Sequence, residues 1–138
     1  MVDPHIRVLY FSNRIAQALS FQARGTSLID HGIAVLCQDV RGTGDSAGAG
    51  TPFVHEEADG LATLEWVRAQ PWCDGNIGMY GTSYSGFNSL QMACERPPHL
   101  KAIVAIYATD DRHTDDVHYM GGLLKWIDLV DYPHYMTA

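Results

Sequence analysis

The sequence lacks long hydrophobic runs, which argues against a segment that crosses a membrane. Its longest apolar stretches, residues 33–37 and 102–108, are far shorter than the roughly 20 residues that cross a bilayer. Arg7 and Arg14 interrupt the apolar residues near the start, so these residues predict no signal peptide. We therefore expect no membrane partner.

Cysteines are few, and their spacing does not favour disulfide bonds or a metal site. Cys37, Cys73 and Cys94 are widely separated and form no CxxC pair, which predicts neither a disulfide framework nor a zinc knuckle. We expect a reducing compartment, the cytoplasm. Cys37 lies in an apolar run and Cys94 on a predicted helix face, so both are expected to be buried small hydrophobes, not reactive thiols.

Basic residues are also scarce. Nine Lys and Arg against sixteen Asp and Glu give a net charge of −7. Such an acidic surface repels phosphate backbones and anionic lipids, so we expect no nucleic acid partner. What is present, 46% hydrophobic and 18% charged residues in a chain of 138, is typical of one packed globular domain.

Strand-like and helix-like segments alternate along the chain. Residues 33–38, 76–80 and 101–108 have the β-rich, apolar character of buried strands, and Asp74 with Gly75 predicts a turn before the second. A further strand is expected near residues 6–11.

Two helices are predicted between these strands, over residues 56–70 and from residue 87 to the prolines at 97–98. Their expected buried faces are Leu61, Leu64 and Val67 in the first helix and Phe87, Leu90 and Cys94 in the second. This alternation predicts βαβ units on a parallel sheet, an α/β fold. Residues 110–138 differ, with clustered acids and histidines and a helix expected over residues 120–130.

The segment GTSYSG, residues 81–86, falls where the 76–80 strand meets the next helix. A serine on such a sharp turn has a strained backbone that holds its Oγ above the sheet, and it needs small neighbours, here Gly81 and Ser85. The Tyr84 amide then opens the helix and is placed to donate to an oxyanion. The segment predicts a nucleophile elbow at Ser83.

Two readings without chemistry stay open for this segment. It is also compatible with a plain Gly/Ser-rich turn, or with an anion nest in a flavodoxin-like binding domain. A phosphate loop is disfavoured because no lysine follows the glycines.

Three stretches resemble the X-Pro dipeptidyl-peptidase and cocaine-esterase-type (CocE/NonD) family of α/β-hydrolases: HGIAVLCQDVRGTGDSAG, EADGLATLEWVRAQPWCDGNIGMYGTSYSGF and PPHLKAIVAIYATDDRHTDDVHYMGG. The resemblance implies a partial α/β-hydrolase catalytic domain over residues 1–138, a parallel sheet with flanking helices and a strand–elbow–helix unit. Residues 110–138 would begin a cap or inserted subregion.

The resemblance also implies a function and site residues. The function is a serine hydrolase that acts on ester or amide (peptide) bonds through an acyl-enzyme, without cofactor or metal. Ser83 would be the nucleophile and the Tyr84 backbone amide one oxyanion donor. A tyrosine hydroxyl is the family's second donor, and Tyr10 stands in a comparable place, although RVLYFSNR departs from the usual proline–tyrosine pattern.

The family's acid and histidine lie beyond a position equivalent to Ala138. We therefore expect an incomplete fragment that is inactive alone and forms homo-oligomers through an exposed sheet edge. An in-chain alternative would draw on acids and histidines downstream of the elbow, namely Asp110, Asp111, His113, His118 and His134.

Two charged clusters have competing interpretations. The first cluster lies in residues 110–118. It is compatible with a divalent-ion site, but also with a solvated loop that caps a helix, and we expect the loop. Its members are Asp110, Asp111, His113, Asp115, Asp116 and His118. Asp39, Arg41 and Asp45 follow a predicted strand, and we expect a loop ion pair there in preference to an anion site.

Overall fold

The structure of the chain, a computed structural model, describes residues 6–13, 28–51, 54–126, 130–131 and 134, with the backbone alone for residues 6–13. The chain divides into two compact units, Met1–Tyr107 and Ala108–Ala138. The predicted change of character near residue 110 falls close to this division.

Four parallel strands form the sheet of the first unit. They are β1 (Ile6–Asn13), β2 (Ile33–Asp39), β3 (Cys73–Thr82) and β4 (Leu100–Ile106), in the spatial order β2-β1-β3-β4. Because all four run in the same direction, their carboxyl ends meet at one edge of the sheet. The predicted parallel sheet is confirmed.

The third strand begins earlier than predicted. Asp74 and Gly75, expected to form a turn, lie inside β3, where the register with β1 shifts between Cys73 and Ile77. The conformation typical of a turn is still present within the strand: Gly75 has φ +85°, and the Asn76 amide donates to Asp74 Oδ1 at 2.8 Å. Tertiary pairing with β1 extends the strand across a local turn signal.

Two helices, α1 (Glu56–Arg68) and α2 (Tyr84–Glu95), flank the sheet where the sequence predicts them. Acidic residues occupy the first turn of α1, where the helix dipole favours negative charge. The core of the unit consists of Leu64, Val67, Ile77, Met79 and Met92, all at most 2% exposed.

The buried face of α2 was predicted wrongly. Phe87 and Leu90 are only half-buried and Cys94 is exposed, whereas the inward face is made of Ser85, Gly86, Asn88, Ser89 and Met92. The buried Ser89 hydroxyl donates to the Ser85 carbonyl oxygen at 2.9 Å, which satisfies it within the helix. Mostly small or polar residues of α2 are buried, so hydrophobic periodicity indicated the wrong face of the helix.

The expected burial of two cysteines is also wrong. Cys37 and Cys94 are exposed: Cys37 lies on β2, an edge strand of the described sheet, and Cys94 lies on the outer face of α2. Partial desolvation and the nearby Asp39 raise the pKa of the Cys37 thiol, which disfavours the reactive thiolate.

The second unit contains a small antiparallel hairpin, β5 (Tyr119–Met120) and β6 (Leu123–Leu124). Gly121 and Gly122 connect the strands with φ of +58° and +79°, the left-handed conformation that tight hairpin turns require. The helix predicted over residues 120–130 is therefore wrong in its first half. None of the helices among the described residues is long and apolar enough to cross a membrane.

The core assignment predicts a difference between two isoleucines of the first unit. Ile77 is fully buried and Ile29 is 60% exposed. Ile77→Ala should lower the free energy of unfolding by about 2–5 kcal/mol, because it removes packed methyl groups and leaves a cavity. Ile29→Ala should stay within about 1 kcal/mol of wild type. Urea denaturation measures both, and equal losses would contradict this core.

Candidate active site

Ser83 alone joins β3 to α2, since β3 ends at Thr82 and α2 begins at Tyr84. Its backbone has φ 59° and ψ −121°, a conformation that is sterically costly for any residue with a side chain. The residue is exposed at the carboxyl edge of the sheet. The sharp strand-to-helix turn predicted from GTSYSG is present.

Backbone hydrogen bonds hold this strained residue on two sides. The Ser83 amide donates to the Ile106 carbonyl oxygen at 2.8 Å, and the Phe87 amide donates to the Ser83 carbonyl oxygen at 3.0 Å. The first bond links the turn to the end of β4 and the second to the first turn of α2. Strained conformations persist only where the surrounding structure holds them in this way.

Gly81 explains why the turn needs a residue without a side chain. A Cβ at this position would lie 2.2 Å from the carbonyl carbon and oxygen of Ser85 and 2.6 Å from the Gly86 amide nitrogen. These atoms belong to the backbone of α2, so they cannot rotate away as a side chain does. Glycine is therefore required for α2 to approach the end of β3.

Tyr84 contributes both of its polar ends to the site. Its amide belongs to the first turn of α2, where N–H groups point toward the N-terminal end of the helix. Its half-buried hydroxyl donates to the Glu56 carboxylate at the start of α1. In the sequence, Glu56 was marked only by its place among the acids of a first turn, which did not predict this contact.

Tyr107 is a second strained residue at the same edge. It follows Ile106, the acceptor of the Ser83 amide, with φ 52° and 81% of its surface exposed. A bulky residue rarely adopts a left-handed conformation. No sequence pattern marks this position, since the conformation follows from how β4 ends.

For Tyr10 the structure describes the backbone alone. It lies within β1, paired with Leu36 of β2 and Met79 of β3. Met79 precedes Ser83 by four residues, which is about 13 Å at the rise of a strand.

The acids and histidines considered as an in-chain triad, Asp110, Asp111, His113, His118 and His134, all belong to the second unit. Asp111 Oδ1 accepts hydrogen bonds from the amides of His113 (3.1 Å) and Thr114 (3.0 Å), and the Thr114 hydroxyl donates to Oδ2. The Thr114 hydroxyl and then these amides lower the pKa of Asp111. The carboxylate thus caps its own loop.

The histidine nearest to this carboxylate also has local contacts. The His113 ring lies 5.9 Å from the Tyr119 ring between centroids, and a Cβ on Gly122 would come within 3.2 Å of its Nε2. The described residues contain no group of three His, Cys, Asp or Glu side chains arranged to hold a metal ion.

Arg41 forms an ion pair, but not with the residues that its position suggested. Its guanidinium contacts both carboxylate oxygens of Asp59 in α1, and this lowers the pKa of that carboxyl. Asp39 instead accepts from the Asp45 amide at 3.2 Å. Thus the loop after β2 is anchored to α1, and the pair lines an open groove of about 580 Å³.

The parallel sheet, its flanking helices and the strained serine turn define part of an α/β-hydrolase fold. Solved structures agree. An alpha-amino acid ester hydrolase superposes with a TM-score of 0.71 at 22% identity, over 93% of this chain and 25% of that one. A CocE/NonD family hydrolase from Staphylococcus aureus gives 0.72 at 24% identity, over 90% and 26%. The predicted fold class is confirmed.

The family follows from sequence comparison. The model of the X-Pro dipeptidyl-peptidase (S15) family matches residues 6–137, and the chain belongs to this family. A cocaine esterase from Rhodococcus sp. (strain MB1 Bresler) is 43% identical over 94 residues, which are 68% of this chain and 16% of that protein. The chain therefore spans about a sixth of this relative's length.

The turn geometry makes a prediction that uses two glycines. Gly81→Val should abolish soluble expression or lower the free energy of unfolding by about 4 kcal/mol or more, because its side chain meets the α2 backbone. Gly60→Ala is the control. Its Cβ would meet only side-chain atoms of Met92, of which the sulfur is nearest at 2.7 Å, so we expect a smaller loss of stability than in Gly81→Val. Soluble yield and thermal unfolding measure both. Wild-type stability of Gly81→Val would indicate an ordinary turn.

Proposed function

We propose that this chain carries the nucleophile part of a serine hydrolase that acts on ester or amide bonds through an acyl-enzyme. The observation that carries the proposal is the backbone of Ser83, strained and exposed at the carboxyl edge of the sheet. A strained turn of this kind holds a serine Oγ clear of its neighbours, where a carbonyl carbon can approach it.

The proposed first step is attack of Ser83 Oγ on the substrate carbonyl. A base takes the hydroxyl proton, the C–O bond forms, and the carbonyl oxygen becomes an oxyanion. The Tyr84 amide is the proposed donor to that oxyanion, since it lies next to the nucleophile at the positive end of α2. Collapse of the intermediate breaks the bond to the leaving group, which receives the proton from the base and departs as the alcohol or amine, and the acyl group stays on Ser83.

The family resemblance implies a second oxyanion donor, the Tyr10 hydroxyl. The backbone of Tyr10 pairs with Met79, which precedes Ser83 by four residues, and this pairing alone gives no support for a donor role. The proposal therefore depends on the Tyr84 amide. Tyr10 stays an expectation from the family resemblance.

The proposed acid and base are residues of the family's longer chains. Family membership favours a hydrolase over the flavodoxin-like binding module, and the relatives include both peptidase and esterase names. Within the chain, Asp111 and His113 each have local partners that account for their positions. We therefore assign neither to the triad.

Covalent labelling tests the nucleophile. On prolonged incubation with a fluorophosphonate, Ser83 should be modified, and Ser83→Ala should abolish the label while changing stability by about 1 kcal/mol or less. Ser85→Ala, a buried serine of the same turn, should keep the label at Ser83. Peptide mass spectrometry locates the adduct. Equal labelling of Ser83→Ala would remove Ser83 from the mechanism.

A steady-state assay tests the missing base. We expect the 138-residue chain to hydrolyse p-nitrophenyl esters and X-Pro anilides several orders of magnitude more slowly than a complete triad, because an unassisted serine hydroxyl is a poor nucleophile. The assay needs a monodisperse fraction, since Val104 on β4 is 50% exposed and we propose that this edge self-associates. Ordinary esterase turnover, lost in His113→Ala or His118→Ala, would establish an in-chain base instead.

A further inference from the structure

The side chain of Tyr84 links the proposed active-site turn to a distant part of the sequence. Its hydroxyl donates to Oε1 of Glu56, 28 residues earlier and the first residue of α1. Both side chains are half-buried. A hydrogen bond to a carboxylate oxygen is stronger than one between neutral groups, so this contact can act as a tether.

Contacts between the two helices fix Glu56 in place relative to α2. The buried Gly60 of α1 lies against Met92 of α2, where an added Cβ would come within 2.7 Å of the Met92 sulfur. Farther out, Gln91 Nε2 donates to Glu57 Oε2 at 3.2 Å in an exposed position. Because α1 is packed on α2 near this point, Glu56 is a fixed anchor for the Tyr84 ring.

The hydrogen bond to Glu56 restrains Tyr84, the residue that follows the strained Ser83. The peptide plane between Ser83 and Tyr84 turns with ψ of Ser83 and φ of Tyr84, and this plane carries the proposed oxyanion donor. The Ser83 amide bond to Ile106 holds the preceding plane, and the bond from the Phe87 amide to the Ser83 carbonyl oxygen holds one side of the plane that carries the donor. A serine at φ 59° is strained, so each further contact that restrains these two planes helps to keep it there.

We propose that Glu56 is a positioning residue for the nucleophile turn. By accepting the Tyr84 hydroxyl, it holds the Ser83–Tyr84 peptide so that the amide at position 84 faces the oxyanion and Ser83 keeps its strained backbone. The oxyanion half of this statement rests on the proposed function. The conformational half does not, because it concerns the backbone of Ser83 alone.

Nuclear magnetic resonance on the isotopically labelled 138-residue chain tests the conformational half. The nuclear Overhauser effect between the amide proton and Hα of one residue is strongest at positive φ, so it reports the strain of Ser83 directly. Hydrogen exchange of the Ser83 amide reports opening of the turn. The Ile77 amide, which donates to the His99 carbonyl oxygen at 2.9 Å, serves as the reference for global unfolding.

Three variants make the comparison. Tyr84→Phe deletes the hydroxyl and keeps the ring, and Glu56→Gln removes the charge but keeps an acceptor oxygen. Glu57→Gln is the matched control, since it makes the same change in the same turn of α1 and affects the bond to Gln91 instead. If Tyr84→Phe proves insoluble, the Ser83 Overhauser effect and amide exchange are measured in Glu56→Gln instead.

Tyr84→Phe should weaken the Ser83 Overhauser effect and raise its amide exchange, relative to that of Ile77, by about tenfold or more. Glu56→Gln should give a smaller change of the same sign, and Glu57→Gln none. A wild-type Ser83 signal and exchange ratio in Tyr84→Phe, or in Glu56→Gln if that variant is used, would overturn the proposal. So would an equal change in Glu57→Gln.

Fluorophosphonate labelling separates this inference from the proposed function. If Glu56 positions the oxyanion donor, Tyr84→Phe should also slow labelling of Ser83, whereas Glu57→Gln should label at the wild-type rate. A wild-type chain that never reacts at Ser83, but loses the Ser83 Overhauser effect in Tyr84→Phe, would keep the positioning role while giving the nucleophile role of Ser83 no support.

Discussion

The close approach of α2 to the end of β3 is the constraint on which the described site depends. At Gly81 there is no space for a Cβ, because the backbone of Ser85 and Gly86 occupies that volume. The chain passes from β3 to α2 through one residue, Ser83, which takes a backbone conformation that side chains ordinarily avoid. The same approach requires small residues on the inner face of α2, which is why serines and glycine replace the expected Phe87 and Leu90 there.

The strained backbone of Ser83 lies among hydrogen bonds from three neighbouring elements. β4 supplies the acceptor at Ile106, the first turn of α2 supplies the Phe87 amide, and α1 reaches the turn through Glu56 and Tyr84. Two elements distant in sequence, β4 and α1, thus contact the same turn as the adjacent helix α2. Such convergence is typical of sites where precise orientation matters more than local stability.

The two units differ in how their polar residues are used. Around Ser83, polar groups of the first unit meet across elements that are far apart in the sequence. In the second unit, the contacts of Asp111 and His113 lie within twelve residues of each other. Asp111 and His113 therefore have a local explanation, in the caps and turns of their own loop.

The sequence by itself determined the α/β class, the strands β1 to β4, the helices α1 and α2 and the place of the serine turn, because apolar runs, proline stops and Gly81 act locally. Only the tertiary structure decided which face of α2 is buried, that Asp74 and Gly75 join β3, that Cys37 lies on an edge strand, and that Met120 belongs to a hairpin. It also decided that Glu56 meets Tyr84 and that Arg41 pairs with Asp59. These outcomes depend on which elements become neighbours, and that is set by long-range packing, which hydrophobic periodicity along a single chain does not encode.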